Sequence, residues 1–443
     1  MGLKMRFGRL ALAFAVLAAF VPGVIAEEKP AGLPAGSKVT SMTVFPSEAV
    51  LGDRYAYRQV LVTAEVEGIG KVDVTRLAKV EGSLDLVKVS AGRKVNGLKN
   101  GQGKLVFSLD GHKAELPVKV NGLDADYKVS YVQDVMPLLA RLGCNSGVCH
   151  GSQKGKNGFK LSLRGYDPLF DHIALTDDLE GRRFNRAAPD KSLFLMKITG
   201  AVPHVGGVRT GADSDYYSLL KSWVRDGVKI DLDSPRVVKV EVFPREVTLA
   251  LPGMQQQMVA IATFSDGKVR DVSHEGFLSS SDTEIATVDG AGIVTAVRRG
   301  EIAVLARYEG RYSAATIFVM GDRSGYAWQD VPEFNYIDKH IYQKLRKIKS
   351  VPSALSTDAE FIRRVYLDLT GTIPDVKTVR TYLIDRREPK AKRDELVGRL
   401  IGSPEFVDFW TNKWADLLQV NKKWLGGQGA KSLQTWVRGA VAS

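Results

Sequence analysis

The sequence predicts a multi-domain chain of mixed class, in which two β-sandwich domains flank an all-α segment and an α-helical domain follows. Three observations lead there. A stretch near the N-terminus recurs 198 residues further on (44 to 242, 73 to 271). Between the copies, the apolar spacing switches from the period of strands to that of helices. After the second copy, helix caps replace turn signals. A length of 443 residues suits about three domains of ordinary size.

Val44-Phe45-Pro46 recurs as Val242-Phe243-Pro244, and Asp73-Val74-Thr75 recurs as Asp271-Val272-Ser273. Gly101 and Gly111 correspond to Gly300 and Gly310, one residue further out. Each copy is roughly 85 residues long, the size of a small sandwich and too large for a solenoid unit. In the second copy Val259, Ile261 and Thr263 alternate along one face and run into Ser265-Asp266-Gly267-Lys268. Ile285, Thr287 and Val288 run into Asp289-Gly290, and Ile293, Thr295 and Val297 follow. β-Branched side chains pack well on a pleated surface, and Asp-Gly supplies the backbone freedom of a tight hairpin. Residues 236–321 resemble the bacterial immunoglobulin-like group 2 domain. The resemblance rests on the Val-Phe-Pro start, the Ser-Asp-Gly-Lys turn, the run from Ala286 to Ala296, and Arg298-Arg299-Gly300-Glu301-Ile302-Ala303-Val304. The first copy, residues 37–122, lacks the Asp-Gly-Ala-Gly run of the second. The resemblance implies spacer or adhesion modules, with polysaccharide or the cell surface as contacts. Neither copy shows catalytic residues.

Between the repeats, Val132, Val135, Met136, Leu138, Leu139 and Leu142 form a helical stripe. It runs into Gly143-Cys144-Asn145-Ser146-Gly147-Val148-Cys149-His150-Gly151, which holds both cysteines of the chain. Covalent haem attachment needs two thiols for the two vinyl groups and a histidine beside the second thiol, whose ring lies under the iron. Here four residues separate the cysteines where two are usual, so the loop has to bulge, and Gly147 is the residue expected to permit it. A Cys144–Cys149 disulfide is an alternative common in exported chains, although it has no use for His150. A structural metal site is another, but two further N or S ligands at suitable spacing are missing nearby.

For the second axial position on the iron, His204 is the first candidate. Proline stiffens its loop, Pro203-His204-Val205-Gly206-Gly207, and the glycines let backbone approach a flat group. Met196, in an apolar run, and His172, near a helix start, are the alternatives. A histidine pair favours a lower potential than histidine with methionine.

The order helix, Cys…Cys-His-Gly, Ala188-Pro189-Asp190-x-Ser192-Leu193, His204-x-Gly206-Gly207, Leu219-Leu220-x-x-Trp223-Val224-x-x-Gly227 resembles the planctomycete-type cytochrome c domain over residues 126–231. The resemblance implies one covalent haem c on Cys144, Cys149 and His150. That family usually has Cys-x-x-Cys-His and often a methionine before Pro-Pro-Gly-Gly. This sequence departs at both places, and the second departure favours a histidine on the far side of the iron. Lys154, Lys156 and Lys160 beside the motif either steer an acidic electron partner or form a solvated loop.

The N-terminal residues set an expected compartment. Lys4, Arg6 and Arg9 precede the apolar run Leu10 to Phe20, and Val24-Ile25-Ala26 closes it, the pattern of a cleaved export signal over residues 1–26. That run is shorter than the ~20 apolar residues of a membrane span, and no later segment is longer. The formal charge of +12 falls to near +9 without the three basic residues of the leader. Export and interspersed charges argue against nucleic acid. They favour a mildly basic surface in the periplasm or at the cell surface, meeting a redox partner protein of the cell envelope.

Helix signals dominate residues 333–443. Thr357-Asp358-Ala359-Glu360 is a capping box for a helix over 361–369 that Gly371 ends, and Ser403-Pro404-Glu405 opens another. The run Phe361 to Gly371 with Ile373-Pro374 is similar to the uncharacterised helical domain that accompanies planctomycete-type cytochromes. Arg363, Arg364 and Asp368 are read either as a site or as a surface ion pair of Arg364 with Asp368. The helix expected from Lys431 runs into the last residue, so the domain is expected to continue beyond Ser443. These features predict an exported electron-transfer or redox-sensing cytochrome. The alternatives are an adhesion or scaffold protein with a disulfide, and an envelope enzyme, for which the sequence offers no nucleophile–base pair or phosphate loop.

Overall fold

A computed structural model describes residues 33–34, 36–179 and 181–443, and the candidate leader lies outside them. The chain divides into one unit up to Tyr326 and a second from Ala327. In the first unit, two sandwiches share one topology strand for strand. In the first sandwich, Leu61–Val66 pairs with Val39–Phe45 and Gly70–Asp73. A four-stranded sheet runs Ala49–Leu51, His112–Val120, Gly101–Leu109, Lys79–Gly82, its first pair parallel. A third sheet joins Tyr57–Gln59, Lys94–Gly97 and Val87–Val89. The second sandwich repeats this with Val259–Phe264 between Val237–Phe243 and Val269–Asp271. Glu246–Leu249, Arg311–Val319, Gly300–Tyr308 and Phe277–Ser280 form its four-stranded sheet. Gln255–Gln257, Ile293–Ala296 and Ala286–Val288 form its third sheet.

Alternation along His112–Val120 and Gly300–Tyr308 buries every second side chain, as half-buried strands require. The buried residues of both sandwiches, among them Leu51, Val62, Leu105 and Phe107 of the first and Met258, Ala262, Val304 and Ile317 of the second, belong to one continuous apolar cluster. The contact between them is reciprocal. Gln59 N–H donates to Asp271 Oδ2 at 2.6 Å, and Gln257 N–H donates to Asp73 Oδ2. Arg76 Nη2 donates to Gln257 Oε1 at 2.9 Å, while His274 Nε2 meets Gln59 Oε1 at 3.0 Å. Phe45 and Phe243 meet with ring centroids 5.1 Å apart. Each side thus meets the other through corresponding positions, with Arg76 of the first sandwich matched by His274 of the second, as across a two-fold axis. Asp271 accepts further bonds from Ser273 N–H and Oγ, and Asp73 from Thr75 N–H, so both carboxylates are satisfied.

Residues between the sandwiches form short helices around their own core. One π-helical turn, Tyr131–Val135, leads into α1 (Met136–Arg141), followed by α2 (Pro168–Thr176), α3 (Leu193–Thr199) and α4 (Asp215–Arg225). Tyr131, Leu139, Leu175, Leu195, Leu220 and Trp223 are fully buried there, with Tyr131 stacked on Trp223 at 5.4 Å. Both sandwiches hold this segment. Tyr55 and Lys94 of the first reach Ser222 and Asp215 on α4. Arg270 of the second pairs with the buried Asp134 at 2.7 Å, and Arg141 donates to the Gly276 and Gly290 carbonyls.

The second unit is helical: α5 (Tyr336–Lys347), α6 (Asp358–Thr370), α7 (Val376–Ile384), α8 (Pro389–Leu400), α9 (Pro404–Leu417) and α10 (Lys422–Ala442). Thr357 and Glu360 form the capping box, Gly371 is left-handed, and Ser403 caps α9. Helix α10 is broken at Gly426, so its final stretch begins before Lys431. Ile362, Val365, Tyr382, Leu396 and Leu400 make its core. Arg364 and Asp368 form no ion pair among the described residues; the buried Lys392 pairs instead with the partly exposed Asp358, which helical spacing within one segment does not foreshadow. Among the described residues, no helix is long and apolar enough to cross a membrane.

Two outcomes follow from the reciprocal contact. Replacing Asp271 by Ala orphans the Gln59 amide and Ser273 and is expected to cost about 2–4 kcal/mol, measured by chemical denaturation. Burial raises the Asp271 carboxyl from its ordinary 3.8 to about 6. The folded chain therefore holds this proton more tightly than the unfolded chain. The contribution is full below about pH 4 and declines as pH rises through about 6. Thermal midpoints across that window are expected to fall less steeply in Asp271→Asn than in the parent chain.

Candidate functional site

Helix α1 ends at the loop that carries both thiols. Gly143 takes the left-handed conformation, with φ 77°, and turns the chain out of the helix. Cys144 N–H donates to Leu139 O, His150 N–H returns to Cys144 O at 3.0 Å, and Gly151 N–H donates to Ser146 O. The buried Asn145 accepts from Arg164 N–H at 2.9 Å, and Leu161 N–H donates to His150 O at 2.8 Å. The four-residue insert is thus closed by backbone bonds. The indispensable glycine is Gly151, where a Cβ would stand 2.0 Å from Asn145 O. Gly147, expected to permit the bulge, has ordinary backbone, and a Cβ there would meet only Leu163 at 3.7 Å. Between Gly147 and Gly151, crowding rather than backbone sign makes the difference.

His150 and His204, 54 positions apart in the chain, come together with ring planes 6° apart and centroids 6.5 Å apart. Nδ1 of His150 lies 3.0 Å from Phe159 O, and Nδ1 of His204 lies 3.0 Å from Gly207 O. A carbonyl oxygen only accepts, so Nδ1 carries a proton in both rings. Neither Nε2 has a hydrogen-bond partner among the described residues. Burial pushes the His150 imidazole below its ordinary value, countered in part by the Phe159 carbonyl. Phe159 packs 4.5 Å from the His150 ring and carries the Arg183 guanidinium on its other contact, at 4.3 Å.

Both thiols are free, and both are partly exposed as residues. Burial of the Cys144 sulfur pushes its thiol up to about 12, with the nearby Arg209 charge pulling the other way. Arg209 Nη2 stands 3.9 Å from Cys149 Sγ. Three apolar side chains lie open on these same two loops: Val148 at 82%, Val205 at 101% and Val208 at 66% exposure.

The other two candidates lie elsewhere. His172 is engaged: Nε2 meets Val228 O at 2.7 Å, and the ring packs edge-on against Tyr131 at 5.1 Å. Met196 lines an open cleft of about 1000 Å³ with Phe184, Arg182, Arg186 and Lys191. Lys154, Lys156 and Lys160 are exposed on the hairpin closed by Lys156 and Phe159. Residues that sequence reasoning did not single out are Phe159, Arg183 and Arg209. Their roles depend on contacts across the loop, for which the sequence carries no local signal.

The centroid spacing of the two imidazoles, 6.5 Å, is close to that of a pair sharing one metal ion. At about 2 Å per metal–nitrogen bond, rings on opposite sides of one ion have centroids about 6 Å apart. The carbonyl bonds to Nδ1 are the outer contacts that orient such rings. No group of three or more His, Cys, Asp or Glu side chains that could hold an ion is gathered among the described residues.

Comparison with known proteins bears on the flanking domains. Residues 236–307 match the bacterial Ig-like domain (group 2) family. Residues 336–443 match PSCyt2, a protein of unknown function (DUF1549). Neither match reaches the Cys144–His150 loop. Ice-binding protein 1 of Shewanella frigidimarina (strain NCIMB 400) is 33% identical over 70 residues, 16% of this chain. The chain spans 8% of the length of that relative. Domains 5–6 of the S-layer protein SbsC align over 65% of this chain and all of that structure, with a TM-score of 0.26 and 10% identity. SbsC residues 31–844 align over 67% of this chain and 30% of that structure, at 0.19 and 10%. The eight N-terminal Ig domains of Down Syndrome Cell Adhesion Molecule align at 0.11 and 9%, over 64% of this chain and 28% of theirs. At these scores the structural likenesses carry no argument.

The crowding at Gly151 gives a paired outcome. Gly151→Ala is expected to cost about 3 kcal/mol or more by forcing the Asn145 carbonyl aside, whereas Gly147→Ala changes stability by about 0.5 kcal/mol or less. Thermal unfolding of the two variants checks this.

Proposed function

We propose that the chain is an exported, modular c-type cytochrome that would carry one haem on Cys144 and Cys149, with His150 and His204 as the residues that would hold its iron. Its work is electron transfer or redox sensing in the cell envelope. One observation carries the reading: two parallel, Nδ1-protonated imidazoles stand at the spacing of a shared metal, one of them adjoining the second of two free thiols. Bound haem supplies one-electron chemistry at its iron. The chain's own residues do the rest. Cys144 and Cys149 supply the sulfurs for attachment. The Phe159 and Gly207 carbonyls hold the two rings in one tautomer and orientation. Val148, Val205 and Val208 offer apolar surface that a flat ligand would cover. Phe159, with Arg183 stacked on it, shields His150. The lysines of the adjoining hairpin give an acidic redox partner protein a docking charge.

A second reading is favoured by the Ig-like match itself. As a non-redox adhesion or scaffold protein, the chain would present its sandwiches to a polysaccharide or to the cell surface, and Cys144 and Cys149 would close a disulfide. The partial likeness to an ice-binding protein is in keeping with a surface or extracellular setting under either reading.

Expression of residues 27–443 in a periplasm equipped for c-haem maturation separates the two. Intact mass is expected to rise by one haem, with sharp α and β bands on reduction; Cys144→Ser with Cys149→Ser is expected to lose both. A colourless chain two hydrogens lighter than the dithiol would make the scaffold reading correct.

A further inference from the structure

Arg209 lies five residues beyond His204 on the same loop. Its backbone N–H donates to Ile198 O at 2.7 Å, which pins this part of the loop to α3. Its Nη2 stands 3.9 Å from Cys149 Sγ. A Cβ built on Gly206 would meet the same Nη2 at 3.1 Å and His204 Cε1 at 2.8 Å, so the guanidinium and the His204 ring flank one glycine. No carboxylate pairs with Arg209 among the described residues. A guanidinium does not lose its proton in proteins, so this charge is fixed at every working pH.

We propose that Arg209 is a positioning residue for charge: its cation, beside the Cys149 sulfur and across Gly206 from the His204 ring, raises the reduction potential of the haem. The inference rests on the haem reading. On one-electron reduction by an outside donor the iron centre loses one unit of positive charge. A nearby cation repels the oxidised form more than the reduced form, most strongly where little water intervenes. A histidine pair sets a low potential, and the surrounding charge is one of the remaining levers on it. Arg209 itself exchanges neither proton nor electron.

The test is a mediator-coupled redox titration, followed optically, of the haem-loaded full chain and its Arg209→Gln and Arg209→Lys variants. Arg209→Met stands in if the glutamine variant does not accumulate. The expected result is a lower midpoint in the neutral variant, a midpoint near the parent value with lysine, and the same low-spin bands in all. An unchanged midpoint in the neutral variant with unchanged bands overturns the inference and leaves the haem reading standing. Loss of the low-spin bands in both variants also overturns it, by showing that Arg209 only holds the loop. A parent chain without covalent haem removes the haem reading and the inference with it.

Discussion

The first unit depends on the exchange of two carboxylates for two strand amides between the sandwiches. Asp73 serves the Gln257 amide and Asp271 the Gln59 amide, and the side chains of those glutamines bind back to Arg76 and His274. Burying a carboxylate is costly unless its lone pairs are filled, and here three donors fill Asp271. A misdocked pair of sandwiches would leave both acids unsatisfied, which selects one arrangement. Because the helical segment is inserted between the two sandwiches, that arrangement also sets its two ends. The Asp134–Arg270 pair and the Arg141 contacts then fix α1, and α1 aims the cysteine loop.

Much of this was legible in the sequence, but unevenly. The 198-residue offset marks the residues that exchange bonds, since both aspartates, and the serine or threonine two positions on, belong to the repeated motifs. What the repeat does not reveal is that the copies face each other; strand periodicity tells which side chains are buried, not by what. The capping boxes and glycine stops were readable because they are decided within four residues. The ion pair read from the spacing of Arg364 and Asp368 is absent among the described residues, and the pair of Asp358 with Lys392 joins α6 to α8, which spacing within one helix does not reveal.

The site divides in the same way. The cysteine motif and His204 stand out as residue types, yet His172 is equally a lone histidine, and only a carbonyl 56 residues away removes it from contention. Gly147 and Gly151 look alike in sequence, and the difference lies in where the Asn145 carbonyl points. Phe159, Arg183 and Arg209 matter through packing and charge around two rings whose meeting is itself tertiary. The flanking family matches are in keeping with the modular architecture but do not bear on the chemistry of the loop.

The most direct measurement is the electron paramagnetic resonance spectrum of the oxidised, matured chain, compared with His204→Ala. Two nearly parallel imidazoles, 6° apart, on one ferric ion predict a rhombic low-spin signal in the parent, lost in the variant to a high-spin one. A parent signal that is high-spin, unchanged on removal of His204, or absent because the chain holds no iron would contradict the account.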